Sequence, residues 1–553
     1  MILVAFSIWI TVVCASLLFF DDSGNLIAHS YSVWGDWSAH FTFINALKER
    51  GFHWLGGDNP LFPGIPFQYP FLSHLLTYFF GKITFLGTIH ATYYSSLILI
   101  FLLPLFLFRV QKALGLGAWA ALGSTLIFLL IGGFQWLDSG LKSSDPLTNQ
   151  FDRGSIFTQF ILFEFFPQRA FLFGLIVFLA TAIFAFGFPF GSKTKALRPK
   201  IVLCLILSLT ALLHLHTWIA ISTLLFFIFL LPPVQKSGFR KSVFILGASV
   251  ALLSGLFLSF LLLRDDANAS RLSWDFWLPG WAQNSKVGPA RAVEMNFFYF
   301  WVFNTGFYLP LAFVGIWLKR KEKKLWAIGA SGIFLFVFAL FINLQPYYYD
   351  NLKLFTYAFL LLSPFAGFSL EALARSTLNR KSPIAKRMGF GIAAILVCLQ
   401  VSSAVYDLGS FQNGLQKTLF FSTDEFALAN QFKSVRSSPE AIVVINPRHN
   451  HWVPCLTGNP VAMGYPGWLW SWGISYGERE KQIHDILFGG PNAETLISNL
   501  HVSYAAIQKG EKVGDHAINQ DFFESRFKKV IDSNGWSVYS LSERTISPST
   551  SVR

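Results

Sequence analysis

Long apolar runs leave this chain few ways to fold. They lie at about residues 2–20, 71–89, 91–108, 115–133, 160–189, 201–214, 217–231, 242–263, 297–318, 325–343, 352–370 and 388–405. A helix needs roughly 20 residues to cross a hydrocarbon core. Inside that core every backbone N–H and C=O must be satisfied within the protein, so such runs become helices. Charge agrees with this reading. Only 13% of the 553 residues are charged, against about 25% in a soluble domain, so the chain cannot clothe itself in a solvated surface.

The net charge of +13 does not point to nucleic acid, because the basic residues cluster in short loops between apolar runs. Those clusters are Arg109/Lys112, Lys193/Lys195/Arg198/Lys200, Lys236/Arg240/Lys241, Lys319 to Lys324, and Arg375/Arg380/Lys381/Lys386/Arg387. The positive-inside rule places all of them in the cytoplasm. This requires one early run not to cross. Run 71–89, interrupted by Ser73-His74 and Gly81-Lys82, is expected to lie along the membrane or re-enter it. About eleven spans result, with residues 21–90, 134–160, 264–296, 344–351 and everything beyond about 405 outside. Stretch 201–231 is too long for one span, and a break at His214-Leu215-His216 puts both imidazoles at the outer surface. The first run lacks a basic leader region and reads as an anchor, not a removed signal. Four cysteines, three of them in apolar runs, exclude a disulfide framework.

Beyond about residue 405 the pattern changes, which divides the chain into a transmembrane domain (1–405) and a C-terminal domain (406–553). Short apolar strands at Ala441–Ile445, Val502–Ile507, Lys529–Ile531 and Trp536–Leu541 alternate with helical patterns at Asp424–Val435 and Glu478–Phe488. Turn signals such as Asn534-Gly535 separate them. The fold expected is an α-helical polytopic membrane protein with a C-terminal extracytoplasmic α/β domain.

The first outer segment carries the chemistry. Gly35-Asp36 reads as a helix start and Gly51 as its end, with Phe41, Ile44 and Leu47 forming the apolar stripe of a membrane-surface helix. Asp36 and His40 are four apart and share a face. A carboxylate beside an imidazole can take a proton from a hydroxyl; alternatively, Asp36 is a helix N-cap and His40 a hydrogen-bonded histidine. A Pro-rich entry, Pro63 to Tyr69-Pro70, leads back to the membrane.

An acidic residue after the first span, a helix ending in Gly, and Tyr-Pro opening an interfacial segment resemble the GT-C superfamily of membrane glycosyltransferases. That superfamily includes oligosaccharyltransferases, protein O-mannosyltransferases and aminoarabinose transferases. The resemblance implies a polyprenyl-phosphate-linked sugar as donor, an active site on the outer face, and Asp36 as catalytic base or beside the reacting centre. Tyr69 takes the place of the family's Tyr-Pro tyrosine. The hexosyl- or pentosyltransferase class is expected, with an extracytoplasmic glycan, lipid or protein as acceptor. A bacterial inner membrane is the expected location, with membrane lipids as neighbours and no nucleic acid.

Other residues have two readings. Arg169, after Phe165-Phe166-Pro167-Gln168, and Lys353, opening a run, can clamp a lipid phosphate or snorkel to the interface. Arg153, in the second outer loop, is a further substrate-binding candidate among solvated charges. His214 and His216 read as hydrogen-bonded histidines in preference to metal ligands, since no Cys or acid is near. No cofactor is called for, and no metal is indicated. Trp468, Trp470 and Trp472, flanked by Arg448, His449 and Arg479, are either a domain foot on the membrane or a lid over an acceptor site, with Trp468 and Arg479 as contacts. The rival functions are a transporter or flippase of lipid-linked sugar, and a non-catalytic glycan-binding relative.

Overall fold

The computed structural model describes residues 1–134, 160–187, 209–229, 249, 273–274, 296–344, 348–378, 383–413 and 417–544. The chain divides into two compact units, each built from separate stretches. Unit 1 comprises Met1–Ser16, Ser96–Asp265 and Arg271–Leu415; unit 2 comprises Leu17–Ser95, Asp266–Ser270 and Gln416–Arg553. Along the chain the helices are α1 (Ile2–Ala15), α2 (Tyr31–Arg50), α3 (Leu72–Thr84), α4 (Thr88–Ala113), α5 (Ala118–Leu129), α6 (Arg169–Gly187), α7 (Thr210–Leu213), α8 (Leu215–Phe229), α9 (Phe297–Thr305), α10 (Tyr308–Lys319), α11 (Lys323–Phe341), α12 (Leu352–Leu378), α13 (Pro383–Asn413) and α14 (Thr423–Val435).

Among the described residues four stretches are long and apolar enough to cross a membrane: Thr88–Ala113, Arg169–Phe186, Leu352–Arg375 and Met388–Gly409. Ile2–Ala15, Ala118–Leu129, Leu215–Ile228 and Leu325–Phe341 are shorter apolar helices. The described residues thus carry fewer full-length spans than the run count suggests, and expected span 242–263 lies outside them apart from residue 249. α12 is the spine of unit 1, packed on α5, α10, α11 and α13. Its apolar window is 78% buried while that of α13 is 22% buried, so α12 is enclosed by protein and α13 presents its apolar surface outward.

The run at 297–318 is broken, contrary to its reading as one straight span. α9 and α10 meet at 92°, at Gly306 with φ +57. The side chain of Gln400 repairs the break: its Oε1 accepts from the Phe307 N–H at 2.7 Å and its Nε2 donates to the Thr305 carbonyl at 3.0 Å. An apolar environment tolerates a broken helix only where protein satisfies the freed groups. A Cβ at Gly306 would lie 2.6 Å from Gln400 Oε1, so the bend needs glycine for both its conformation and its space.

In unit 2, β1 (Leu18–Phe20), β2 (Leu26–Ala28) and β5 (Thr418–Phe421) form an antiparallel sheet with β2 in the centre; β3 (Asp58–Asn59) and β4 (Phe62–Pro66) pair separately. The last residues of the first apolar run are therefore strand, and α1 ends at Ala15. A mixed four-stranded sheet runs in the order β8 (Phe527–Ser533), β9 (Trp536–Arg544), β7 (Val502–Gln508), β6 (Ile442–Val444), with β6 parallel to β7 and the other pairs antiparallel. Val444, Leu469, Ile483, Ile486, Leu487, Phe523 and Tyr539 fill the core beside it. The β8–β9 hairpin turns at Asn534-Gly535, both at positive φ, as two-residue hairpins require. α14 opens with a capping box of Ser422 and Glu425.

The 71–89 run, expected not to cross, contains α3 with only 13 residues. These rise about 20 Å, short of the ~30 Å hydrocarbon core.

Candidate functional site

Within unit 2, α2 holds Asp36. The helix begins earlier than the sequence suggested. Ser30 is the N-cap, its hydroxyl accepting from the Val33 N–H at 3.4 Å, and Gly51 at φ +77 ends the helix. Asp36 therefore lies in the second turn, half-buried, and the N-cap reading of Asp36 is corrected. The surface-helix reading is corrected too: Trp37 to Leu47 are buried without a break. The reason is distant packing. The π-helical turn Val453–Thr457 lies on α2, with Asn45 Nδ2 donating to the Cys455 carbonyl at 2.6 Å. Two charge groups fasten the end of α2: Glu49 accepts from Lys433 at 2.9 Å and Arg436 at 2.7 Å, and Arg50 pairs with Glu440.

One turn beyond Asp36, His40 is 5% exposed and its Nδ1 lies 2.7 Å from Nε2 of fully buried His74 on α3. His74 is a residue that sequence reasoning used only as an interruption; its position just after Tyr69-Pro70 was the available signal. Tyr69 packs between His74 and Trp472, with ring centres 5.8 and 5.4 Å away.

A second group of rings adjoins the start of α2. His449 lies over Tyr465 at 3.5 Å and beside Trp34 at 5.0 Å and Trp468 at 5.5 Å. A Cβ at Gly35 would sit 3.7 Å from the His449 ring. Trp468 and Trp472 are near-parallel, 6.3 Å apart. Burial lowers the His449 pKa to about 4, so its ring is neutral at physiological pH and offers one donor and one acceptor. The Trp468–Trp472 segment thus joins Tyr69 in one aromatic wall beside the helix that carries Asp36. Arg479 has a different role from a free sugar contact. Its guanidinium donates to the Ala462 carbonyl at 3.0 Å and the Pro63 carbonyl at 3.3 Å, over the Phe62 ring at 4.7 Å, which fastens β4.

The remaining candidates belong to unit 1. Arg169, the first residue of α6, is fully buried; its Nε donates to Ser96 Oγ at 2.9 Å and its guanidinium lies 5.8 Å from the Phe173 ring centre. Lys353, the second residue of α12, is 5% exposed and pairs with Asp350 at 2.8 Å. Neither snorkels to an exposed surface within its unit. Arg153 lies outside the described residues. The chain does break at His214, which is extended between α7 and α8. However, His214 and His216 are 7% and 6% exposed, not surface residues. They stack at 5.0 Å, and His214 Nδ1 meets Thr217 Oγ1 at 2.9 Å. Thr217 meets the Tyr357 hydroxyl at 2.5 Å, and Phe171 packs on His214 and Tyr357 at 5.2 and 5.5 Å. The starts of α6, α8 and α12 therefore converge. Sequence spacing could not show this, because two residues apart on a continuous helix do not face each other; the break at His214 lets the rings stack. Among the described residues no group of three or more His, Cys, Asp or Glu side chains is placed to hold a metal.

No protein-family model matches the chain, and no curated protein matches it in sequence. Its likeness is to solved structures. The archaeal oligosaccharyltransferase AglB from Archaeoglobus fulgidus, solved with an inhibitory peptide and a dolichol-phosphate, superposes with a TM-score of 0.54 at 12% identity, over 91% of this chain and 69% of that one. ArnT from Cupriavidus metallidurans in the apo state gives 0.51 at 12% identity, over 98% and 97%. The arabinofuranosyltransferase AftD from mycobacteria gives 0.56 at 12% identity, over 98% of this chain but only 39% of that one. At such identities the likeness is one of fold, and it extends over nearly the whole chain. The chain has the fold of these solved structures, among them an oligosaccharyltransferase and an arabinofuranosyltransferase.

Proposed function

We propose that this protein transfers a sugar from a polyprenyl-phosphate carrier to a hydroxyl of an extracytoplasmic acceptor. The observation that carries the reading is the burial of Arg169 and Lys353 at the first turns of α6 and α12. A helix N-terminus is already the positive end of its dipole. A buried cation there is doubly unfavourable, and an anion relieves both terms; Asp350 supplies part of that charge at Lys353, and a phosphate would add to it. The headgroup of a lipid-linked sugar is such an anion at membrane depth, and the similar AglB was solved with a dolichol-phosphate.

In this reading the carboxylate of Asp36 accepts the acceptor hydroxyl proton while the oxygen attacks the anomeric carbon. The bond from that carbon to the phosphate oxygen breaks, and its electron pair leaves with the carrier. His40, held by His74, orients the base, and Tyr69 and Trp468 supply an aromatic face on which a sugar stacks. No cofactor is assigned. The full reading includes about eleven spans in a bacterial inner membrane, with residues 21–90 and the C-terminal α/β domain outside.

The test is titration of purified protein with a polyprenyl-phosphate-linked sugar. A charge-assisted hydrogen bond contributes roughly 1.5–3 kcal/mol. Lys353→Gln and Arg169→Lys should therefore each weaken binding by several-fold or more, the latter because a point charge cannot replace a planar fork. Unchanged affinity in both variants removes the donor assignment.

A further inference from the structure

Three helices of unit 1 open with a nitrogen base in their first turn: Arg169 on α6, His216 on α8 and Lys353 on α12. Their starts meet. Phe171 of α6 packs against His214, just before α8, and against Tyr357 of α12. Lys353 acts electrostatically on both imidazoles. Three positive helix ends meet here with Arg169 and with Lys353, whose partner Asp350 offsets one of the two cations; the helix ends and the remaining positive charge favour an anion.

His216 stands out within this group. It is 6% exposed, and its Nε2 has no hydrogen-bond partner among the described residues. A buried nitrogen left so is destabilising unless a ligand supplies the missing bond. His214 is differently placed, since Thr217 and Tyr357 fix it by a hydrogen-bond chain and it carries the stacked His216 ring at 5.0 Å. The pair is thus an oriented imidazole supporting one with an uncommitted nitrogen.

Resting on the function proposed above, we infer that His216 donates a hydrogen bond to the carrier phosphate and favours its leaving-group form over its donor form. In the donor, the phosphate is a diester with one negative charge. When the anomeric C–O bond breaks, the electron pair stays on phosphate oxygen and the carrier becomes a monoester with a second charge. The proton lost by the attacking hydroxyl, taken up by the base of the proposed reaction, balances this charge. A donor group aimed at the oxygen where that charge develops stabilises the transition state and product more than the bound substrate. Arg169 and Lys353 hold either form; His216 discriminates between them.

The probes are decaprenyl phosphate and its methyl diester, titrated into the purified full-length protein in detergent at neutral pH. Wild type should bind the monoester more tightly than the diester. His216→Phe preserves a ring to stack on His214 but removes the donor, and should cut that preference by roughly ten- to a hundredfold, mainly through the monoester. His216→Gln keeps an N–H and should retain part of it. Lys353→Gln should weaken both probes together. If Lys353→Gln weakens both but His216→Phe and His216→Gln leave the ratio at the wild-type value, the inference about His216 is overturned and the donor site stands. If Lys353→Gln changes neither probe, the donor site itself is wrong.

Discussion

Replacing Gly458 by alanine should loosen the grip of the C-terminal part of unit 2 on α2. Gly458 ends the turn that lies on α2 and has φ +70. A Cβ there would sit 2.6 Å from the carbonyl carbon and oxygen of Asn45 and 2.7 Å from the Ala46 nitrogen. These are helix backbone atoms and cannot swing aside. The left-handed conformation costs alanine roughly 1 kcal/mol, and forced displacement in a packed interior adds about 1–3 kcal/mol, giving roughly 2–4 kcal/mol. Gly510 provides the control, with φ +75 and nothing within 4 Å of its Cβ position, so Gly510→Ala should carry only the conformational part. The reporter is Cys455, fully buried beside Gly458. Burial raises its pKa to about 12, so the thiol reacts only when the region opens. With the other cysteines replaced by serine, Gly458→Ala should label roughly 30- to several-hundred-fold faster than the parent, and Gly510→Ala far less so. Equal labelling of the two variants would refute the steric argument.

Further tests address charge and orientation. The His449 pKa is about 4 in the folded chain against an ordinary 6.5, so the unfolded chain binds more protons between these values. Stability should fall on acidification through that window, and His449→Phe should flatten the fall; an unchanged slope of unfolding free energy against pH would count against burial as the cause. Burial pushes the Glu49 carboxyl up, but hydrogen bonds and charge from Lys433 and Arg436 outweigh it and hold the group below its ordinary 4.5. Its stabilisation is present above that value and lost below it. Glu49→Gln should thus destabilise by about 1–3 kcal/mol at pH 7 and by progressively less as the pH falls below 4.5, measured by denaturant unfolding. Cysteines placed at 319–324 should resist an impermeant label in sealed cells while those in 417–544 react; the reverse would put the C-terminal domain inside.

Local grammar was readable where neighbours in sequence decide the structure. The strands of the C-terminal sheet, the Asn534-Gly535 hairpin, and the end of α2 at Gly51 follow from turn chemistry and alternation. The start of α2 was missed because Ser30 caps five residues before Gly35, and glycine drew attention to itself. What surrounds α2 was not readable at all. The Asn45 bond to Cys455 spans 410 positions and the His40–His74 contact 34. The break at Gly306 is repaired by Gln400, whose bond to the Phe307 N–H spans 93 positions, inside a run that hydropathy reads as uninterrupted. The candidate phosphate residues were recognisable one by one as costly charges in apolar sequence. Their convergence with the histidine pair depends on how three helix starts pack, which no spacing encodes.

The central claim is that Asp36 is the base, and one substitution tests it most directly. Asn matches Asp in size but cannot accept the proton, and Ser30, not Asp36, caps α2, so loss of a cap cannot account for any defect. The measurement is sugar transfer by purified Asp36→Asn from a polyprenyl-phosphate-linked donor, with donor affinity determined on the same preparation. Turnover should drop by at least the ~10²–10⁴-fold that general base catalysis supplies, with donor affinity near that of wild type. Turnover close to wild type would contradict the account, leaving the fold without its base.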